Sequence, residues 1–404
     1  MNMEKILIVG AGHAGCQLAF ALRESGYRGD VTLVNGEDAA PYHRPPLSKG
    51  FLKTGRHDEI LLRGDSAFAD NKIRLLPEVV QEIDRARQRV LTESGRALPY
   101  DHLVLATGTL NRRLDVPGGD ESVLYLKHLG DALALRGRLA GAQRVAVIGA
   151  GFIGLEFAAF ASGHKKLVHV IDIASALMAR TASEKISAYF QRRHEESGVR
   201  FRLGAKIAGL ARQGNEITGV LLDNGELVDA DLVVAGVGVI PNTRLAEAAG
   251  LPVDNGVMVD PHLLTADSSI SAIGDCTRFP TPYAPSPIRL ESVQNANDQA
   301  RSVAKRLTGN ALPFSALPWF WSDQGADKLQ IAGLPGAADR RIVRGHPAQN
   351  KFSVFSFRGE HLFAVESVNR AADHMIARRL ISAQIKVSTA LIADSTIDIK
   401  TLIS

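Results

Sequence analysis

The chain repeats one motif, and that repeat limits what it can become. Lys5-Ile6-Leu7-Ile8-Val9 runs into Gly10-Ala11-Gly12-His13-Ala14-Gly15, and Arg144-Val145-Ala146-Val147-Ile148 later runs into Gly149-Ala150-Gly151-Phe152-Ile153-Gly154. Helical periodicity follows each glycine run, marked by Leu18, Ala19 and Leu22 in the first copy and by Leu155, Ala158 and Ala159 in the second. A β-branched run closes each copy, Val31-Thr32-Leu33-Val34 and Leu167-Val168-His169-Val170-Ile171. Strand, glycine turn, helix and strand make up the nucleotide-binding half of a doubly wound sheet, so the chain is expected to be α/β with two Rossmann-type dinucleotide-binding domains. The glycines have separate tasks. The first makes the tight turn, the second lets backbone approach a pyrophosphate, and the third lets helix pack on strand. Phosphates then meet the free N–H groups of a helix N-terminus.

Two further segments read as buried strands emptying into glycine turns beside a nucleotide. One runs from Tyr100 to Ala106-Thr107-Gly108, the other from Ala230 to Gly236-Val237-Gly238. A strand reading Ile270-Ser271-Ala272-Ile273 ends in Gly274-Asp275, where a carboxylate could reach a ribityl chain. Near Trp319 a third region begins, with strand-like alternation such as Phe352-Ser353-Val354-Phe355-Ser356-Phe357.

Acidic residues separate the two sites. Asp172 closes the second unit's strand, where a carboxylate accepts hydrogen bonds from ribose hydroxyls and repels a 2′-phosphate, so NADH is expected over NADPH. Arg180 follows in sequence and works against that preference. In the first unit the matching position is Asn35, and the acid is Glu37. That unit is followed by Arg44-Pro45-Pro46-Leu47-Ser48-Lys49, a stiff basic loop suited to phosphate and to the negative charge of a reduced flavin.

Composition removes other classes. The chain has 404 residues and a formal charge of +4, from 47 Lys and Arg against 43 Asp and Glu, with no basic block interleaved with aromatics to suggest nucleic acid. Cys16 and Cys276 are its two cysteines, too few for a disulfide scaffold or a paired-cysteine metal site. The most apolar stretches are Val145 to Ala161, which carries three glycines and Glu156, and Leu232 to Ile240, which is too short to span a bilayer. No signal-peptide pattern opens the chain, so a cytoplasmic location is expected.

Taken together the motifs resemble the bacterial FAD-dependent ferredoxin reductases, of the putidaredoxin reductase and rubredoxin reductase type. The likeness covers almost the whole chain. Beyond the glycine turns it rests on the 44–49 loop, Leu155-Glu156, Gly274-Asp275-Cys276, Glu291-Ser292-Val293-Gln294-Asn295-Ala296 and Pro318-Trp319-Phe320-Trp321-Ser322-Asp323-Gln324. The resemblance implies a glutathione-reductase-like fold: a discontinuous FAD-binding domain over 1–112 and 243–318, an NAD-binding domain over 113–242, and a C-terminal α+β domain over 319–404 that covers the flavin. It implies FAD along Lys49, Asp275 and Val293, with Val80 at the adenine end, Glu156 beside the nicotinamide and Trp321 near the isoalloxazine. Lys127 stands where the family commonly has arginine. No cysteine lies within residues 38 to 53, where related peroxide reductases carry a redox thiol.

The implied activity is electron transfer from NADH through FAD, singly, to a small iron-sulfur ferredoxin that serves an oxygenase such as a haem-thiolate monooxygenase. Rubredoxin as acceptor, direct oxidation of NADH by oxygen, and a redox-sensing flavoprotein resembling apoptosis-inducing factor remain as alternatives. Ferredoxins are usually acidic, so a basic docking face is expected. Val293, Ala296, Ala300, Val303, Ala304 and Leu307 recur at helical spacing, leaving Arg301 and Lys305 on the opposite side. Ala372, Met375 and Ile376 mark a second buried face, with His374 and Arg378 expected outward, and Arg63 is a third candidate.

Overall fold

The computed structural model describes residues 3–119 and 122–403. The chain forms two compact units. One contains Met1–Arg44, Arg56–Leu110 and Val239–Ala316, the other Pro45–Gly55, Asn111–Gly238 and Leu317–Ser404.

In the first unit, Lys5–Val9 sits at the centre of a five-stranded parallel sheet. The order is Ile270–Ala272, His102–Leu105, Lys5–Val9, Asp30–Asn35 and Ile73–Pro77. A central parallel strand is covered on both faces, which is why Ile6 to Val9 is an unbroken apolar run. On one face the helices His13–Glu24 and Val293–Leu307 bury Leu18, Ala19 and Leu22 with Ala296, Ala300, Val303 and Ala304. On the other face Leu7 and Val9 pack with Val80, Ile83, Val90 and Leu98. Those four residues come from a small antiparallel sheet, Val80–Asp84, Arg89–Thr92 and Ala97–Pro99.

The second unit repeats the plan. Its parallel sheet runs Arg200–Leu203, Leu167–Asp172, Arg144–Ile148 and Leu232–Ala235, with the helix Phe152–Gly163 following the glycine turn. Three antiparallel strands, Ile207–Gln213, Glu216–Leu222 and Leu227–Asp229, contribute Ile217, Val220, Leu222 and Val228 to the core on one side.

The same unit holds a five-stranded antiparallel sheet. Its order is Trp319–Gln324, Asp327–Gly333, His361–Val368, Lys351–Arg358 and Arg340–His346. The 352–357 stretch alternates apolar and polar residues, yet every one of the six is buried. The helix Ala371–Ser382 supplies the reason, because its Asp373 accepts a hydrogen bond from the Ser353 hydroxyl, which lies 2.9 Å from Ser367 Oγ as well. Both faces of the strand are buried, and each mixes apolar side chains with a serine: Phe352, Val354 and Ser356 on one, Ser353 and Phe355 on the other. No helix among the described residues is long and apolar enough to cross a membrane.

Candidate functional site: two glycine cradles and a buried carboxylate network

The glycine turns are near copies in space. Gly10 has φ 106° and Gly149 has φ 108°, a region that L side chains avoid. A Cβ on Gly10 would lie 2.3 Å from the Ala106 carbonyl oxygen, and one on Gly149 would lie 2.4 Å from that of Gly236. Gly15 and Gly154 are forced by contact with the turn itself, 1.9 Å from Gly10 O and 2.2 Å from Gly149 O. Gly12 and Gly151 differ, since a Cβ on either would meet nothing within 4 Å. Glycine there leaves backbone bare at the N-terminus of a 12-residue helix, the geometry that admits a phosphate.

Past the turns the two copies diverge. Asp172 Oδ2 accepts the Ala150 N–H at 2.6 Å and Oδ1 accepts the Ala174 N–H at 2.7 Å, so the carboxylate is fastened to the second cradle. Arg180 is exposed, with its guanidinium 3.9 Å from where a Gly238 Cβ would stand. In the first unit Asn35 instead closes its own turn, donating to Ala39 O and accepting from the Glu37 N–H. Glu37 is held by the Tyr42 hydroxyl and by Arg44.

Thr107 and Gly274 lie beside the first turn. Thr107 Oγ1 donates to Asn242 O at 2.6 Å. Gly274, at φ 79°, brings its α-carbon close enough that an added Cβ would be 3.0 Å from Ala14 Cβ. Asp275 follows it, half-buried. Ser292 caps the Val293–Leu307 helix by accepting the Asn295 N–H, while Glu291 is exposed and pairs with Arg289. Val80 is a core residue, and its neighbour Val79 is the exposed one. His13 packs against His43 with ring centroids 5.4 Å apart; burial, with His43 and Arg44 adding to it, pushes its imidazole down to about 3.

In the second unit a polar cluster is built around one buried carboxylate. Glu156, on the Phe152–Gly163 helix, is buried, and four donors converge on its carboxylate. Oε2 accepts the Ser48 hydroxyl at 2.6 Å. Oε1 accepts the Ser322 hydroxyl at 2.7 Å, the Lys49 ammonium at 3.0 Å and the Asp323 N–H at 3.3 Å. Lys49 also lies 3.5 Å from the Asp323 carboxylate, so one cation stands between two acids. Pro45 to Ser48 form a tight 3-10 turn that presents Ser48 and Lys49 side by side.

Opposite, the strand Trp319–Gln324 divides its residues with period two. Phe320 meets Phe152 at 4.6 Å and Ser322 meets Glu156, while Trp321 stacks toward Trp319 at 5.8 Å. Lys127 lies at the start of the Leu129–Gly141 helix, its N–H donated to Asp131. Sequence reasoning gave Ser48, Ser322 and Asp323 no role. The alternation of Phe320, Ser322 and Gln324 against Trp319, Trp321 and Asp323 was the available signal.

The cationic candidates fare unevenly. Arg301 and Lys305 are exposed, and Arg301 pairs with Asp298 at 3.1 Å. Arg63 is half-buried, with its guanidinium 4.8 Å over the Phe20 ring. The C-terminal helix is turned relative to expectation. His374 is 1% exposed while Met375 is 54% exposed, and Ala372 is exposed as well. Asp373, at the position the apolar pattern would leave outward, is drawn inside by Arg370, and Arg378 lies half-buried with its guanidinium 4.5 Å over Trp319. Both cysteines are free and buried, and burial raises the Cys16 thiol to about 11.

Residues 4–300 match the family described as pyridine nucleotide-disulphide oxidoreductase, and residues 319–403 match the one described as Reductase C-terminal. Rhodocoxin reductase of Rhodococcus erythropolis is 44% identical over 402 residues, covering 99% of this chain and 94% of that protein. Among solved structures, the ferredoxin reductase for the CYP199A2 system from Rhodopseudomonas palustris superposes with a TM-score of 0.97 at 47% identity, covering 99% of both chains. A covalent putidaredoxin reductase–putidaredoxin complex gives 0.95 at 40% identity, covering 100% of this chain and 98% of that one.

Proposed function

The chain belongs to the pyridine nucleotide-disulphide oxidoreductase family, and from that premise we propose that it is an FAD-dependent NADH:ferredoxin oxidoreductase. It takes electrons from NADH and passes them singly to a small [2Fe-2S] ferredoxin that serves an oxygenase such as a haem-thiolate monooxygenase. The observation that carries the reading is the pair of matched cradles, each with one glycine whose missing side chain leaves open space, and only one backed by a strand-end carboxylate. Full-length likeness to reductases named for redoxin partners supports the acceptor class.

FAD is assigned to the cradle of Gly10, Gly12, His13, Ala14 and Gly15, with Thr107-Gly108, Asp275 and the Ser292-capped helix N-terminus. The open face of Gly12 fits its pyrophosphate. Asn35 and Glu37 follow the first unit's second strand, and the Glu37 carboxylate, oriented by Tyr42 and Arg44, keeps acceptor capacity for the adenosine ribose. NADH is assigned to Gly149, Gly151, Phe152, Ile153 and Gly154, with Asp172 on the ribose and Gly236 and Gly238 beside it. This reading keeps the division into 1–112 with 243–318, 113–242, and 319–404.

Bound FAD supplies the chemistry that accepts a hydride and releases single electrons. The protein's own groups position and balance charge. Asp172, already oriented by two N–H groups, presents its remaining lone pairs to ribose hydroxyls and disfavours a 2′-phosphate. Lys49 supplies a cation for an anionic reduced flavin, and Glu156 fixes where that cation stands. The cysteines are buried, so the proposed electron path uses no thiol.

Anaerobic reduction by NADH, followed by turnover with a panel of purified [2Fe-2S] ferredoxins and rubredoxins, tests the assignment. Ferredoxin reduction should far outpace peroxide formation in air. Peroxide that accounts for all NADH consumed, whatever acceptor is added, would identify an NADH oxidase. Very slow reduction with a persistent charge-transfer band would identify a sensor. Arg301→Glu with Lys305→Glu should raise the KM for ferredoxin several-fold and flatten its salt dependence, while NADH-to-ferricyanide turnover holds. An unchanged KM would place docking elsewhere.

A further inference from the structure

We propose that Gln324 and His194 are positioning residues for Glu156, holding the Ser322 hydroxyl pointed at its carboxylate through a one-directional chain of hydrogen bonds. The inference rests on the reading of Glu156 as part of the nicotinamide end of the site.

The chain of contacts runs away from Glu156 into the unit's interior. Ser322 Oγ donates to Glu156 Oε1 at 2.7 Å. A serine hydroxyl has one hydrogen, so once it is given to Glu156 the oxygen can only accept from its other neighbours. That neighbour is Gln324 Nε2, at 3.4 Å. The same amide nitrogen lies 3.6 Å from Met178 Sδ, an acceptor with no hydrogen to give. Two acceptors on one side fix the nitrogen there and send Gln324 Oε1 the other way, to His194 Nε2 at 2.9 Å. Because that oxygen can only accept, the histidine must carry its hydrogen on Nε2.

Each member is enclosed. Ser322, Gln324 and His194 are all buried, leaving no solvent to replace a lost partner. Burial holds His194 below its ordinary range, outweighing the raising effects of Gln324 and Asp327, while Arg193 pushes the same way as burial. A neutral ring has a definite tautomer, and here it sets the direction of the whole chain. Met178 is kept at φ 51°, in the left-handed region, with its N–H bonded to Ala150 O in the second glycine turn. Reversal of the Gln324 amide would oppose its oxygen to Met178 Sδ and draw the Ser322 hydrogen off Glu156. The carboxylate would then keep Ser48, Lys49 and the Asp323 N–H but lose the donor that opposes Ser48 across it.

The test uses the full-length, FAD-loaded protein. Gln324→Leu and His194→Leu should lower the limiting rate of flavin reduction by NADH about tenfold, the equivalent of one hydrogen bond, at an unchanged apparent Kd. His194→Gln places an N–H donor where Nε2 stood and should restore the rate to within about twofold. Should Gln324→Leu fail to fold, Ser322→Ala removes the same donor and should show the same loss. Without any NADH, ¹⁵N spectra should find His194 as the Nε2–H tautomer. An Nδ1–H tautomer, equal losses in His194→Leu and His194→Gln, or a loss confined to Kd would overturn the proposal. A wild-type holoprotein that NADH does not reduce would instead count against the proposed function, leaving the tautomer measurement to decide the chain's direction.

Discussion

Asp172 has two backbone hydrogen bonds before any ligand arrives, one from the glycine turn and one from its own loop. Its substitution therefore does two things, removing the proposed ribose acceptor and loosening the turn to which the phosphates are assigned. Asp172→Ala should raise the KM for NADH by roughly one to two orders of magnitude, as expected for hydrogen bonds to a charged group, and should narrow the preference over NADPH. Steady-state kinetics with both nucleotides check it, and equal use of NADPH by the wild type would sink the ribose argument. Lys49 poses a different question, since it is the cation between Glu156 and Asp323. Lys49→Met leaves two carboxylates facing each other with Lys328, 3.8 Å from Asp323, as the remaining cation. Reduced flavin is anionic, so its midpoint potential should drop, on the order of 30 mV for each tenfold weakening of that stabilisation in a two-electron couple. Spectroelectrochemical titration that finds wild-type and Lys49→Met potentials equal would remove the role.

Single elements are held by contacts that their own periodicity does not reveal. The 388–403 segment makes a short helix, Thr389–Ala393, and a 3-10 turn, Ile399–Ile403, neither long enough to be stable alone. Arg344, fully buried on the strand Arg340–His346, holds it by donating to the carbonyls of Ile392, Asp394 and Ile397, with Asp373 as its countercharge. Arg344→Leu leaves three carbonyls without their donor and removes one of the two guanidinium partners of Asp373, and should cost about 1–3 kcal/mol. Urea denaturation and limited proteolysis of the C-terminal segment measure it, and a change under 1 kcal/mol would mean that solvent replaces those bonds. The same polar interior turns the Ala371–Ser382 helix away from the face that its apolar spacing predicts. Apolar spacing favoured Ala372, Met375 and Ile376, but Asp373 is claimed by Arg370, Arg344 and Ser353 and His374 by the Trp319 ring. Periodicity counts hydrophobic residues and is blind to buried charge that has found partners. On Val293–Leu307 the buried polar groups are uncharged amides, Gln294, Asn295 and Gln299, and apolar spacing predicts Arg301 and Lys305 outward, where they lie.

Across the whole molecule, legibility follows the same division between backbone necessity and distant polar partnership. The paired sheets could be read because a tight turn under a close backbone approach demands glycine, and the chain wrote that demand twice. The grouping of Pro45–Gly55 with the second unit could not, since it depends on Ser48 finding Glu156 at a separation of 108 residues. Buried histidines were equally hidden, and they carry a consequence for stability. His102 lies in the first unit and His374 in the second, each 1% exposed. Burial lowers them to about 3 and about 4, with Arg306 and Arg378 respectively pushing the same way. An unfolded histidine binds its proton below about 6.5, while these two refuse it in the folded state. Stability from this source is therefore intact above about pH 6.5 and is lost as pH falls toward the folded values. At pH 5 each costs about 2 kcal/mol. Among the described residues neither ring nitrogen of His374 has a hydrogen-bond partner, so His374→Phe keeps the edge-to-face contact with Trp319 and removes only the titration. Urea midpoints at pH 7 and pH 5 should differ less in His374→Phe than in wild type, by that histidine's share. An identical difference in both proteins would show that His374 opens to solvent before the unit unfolds.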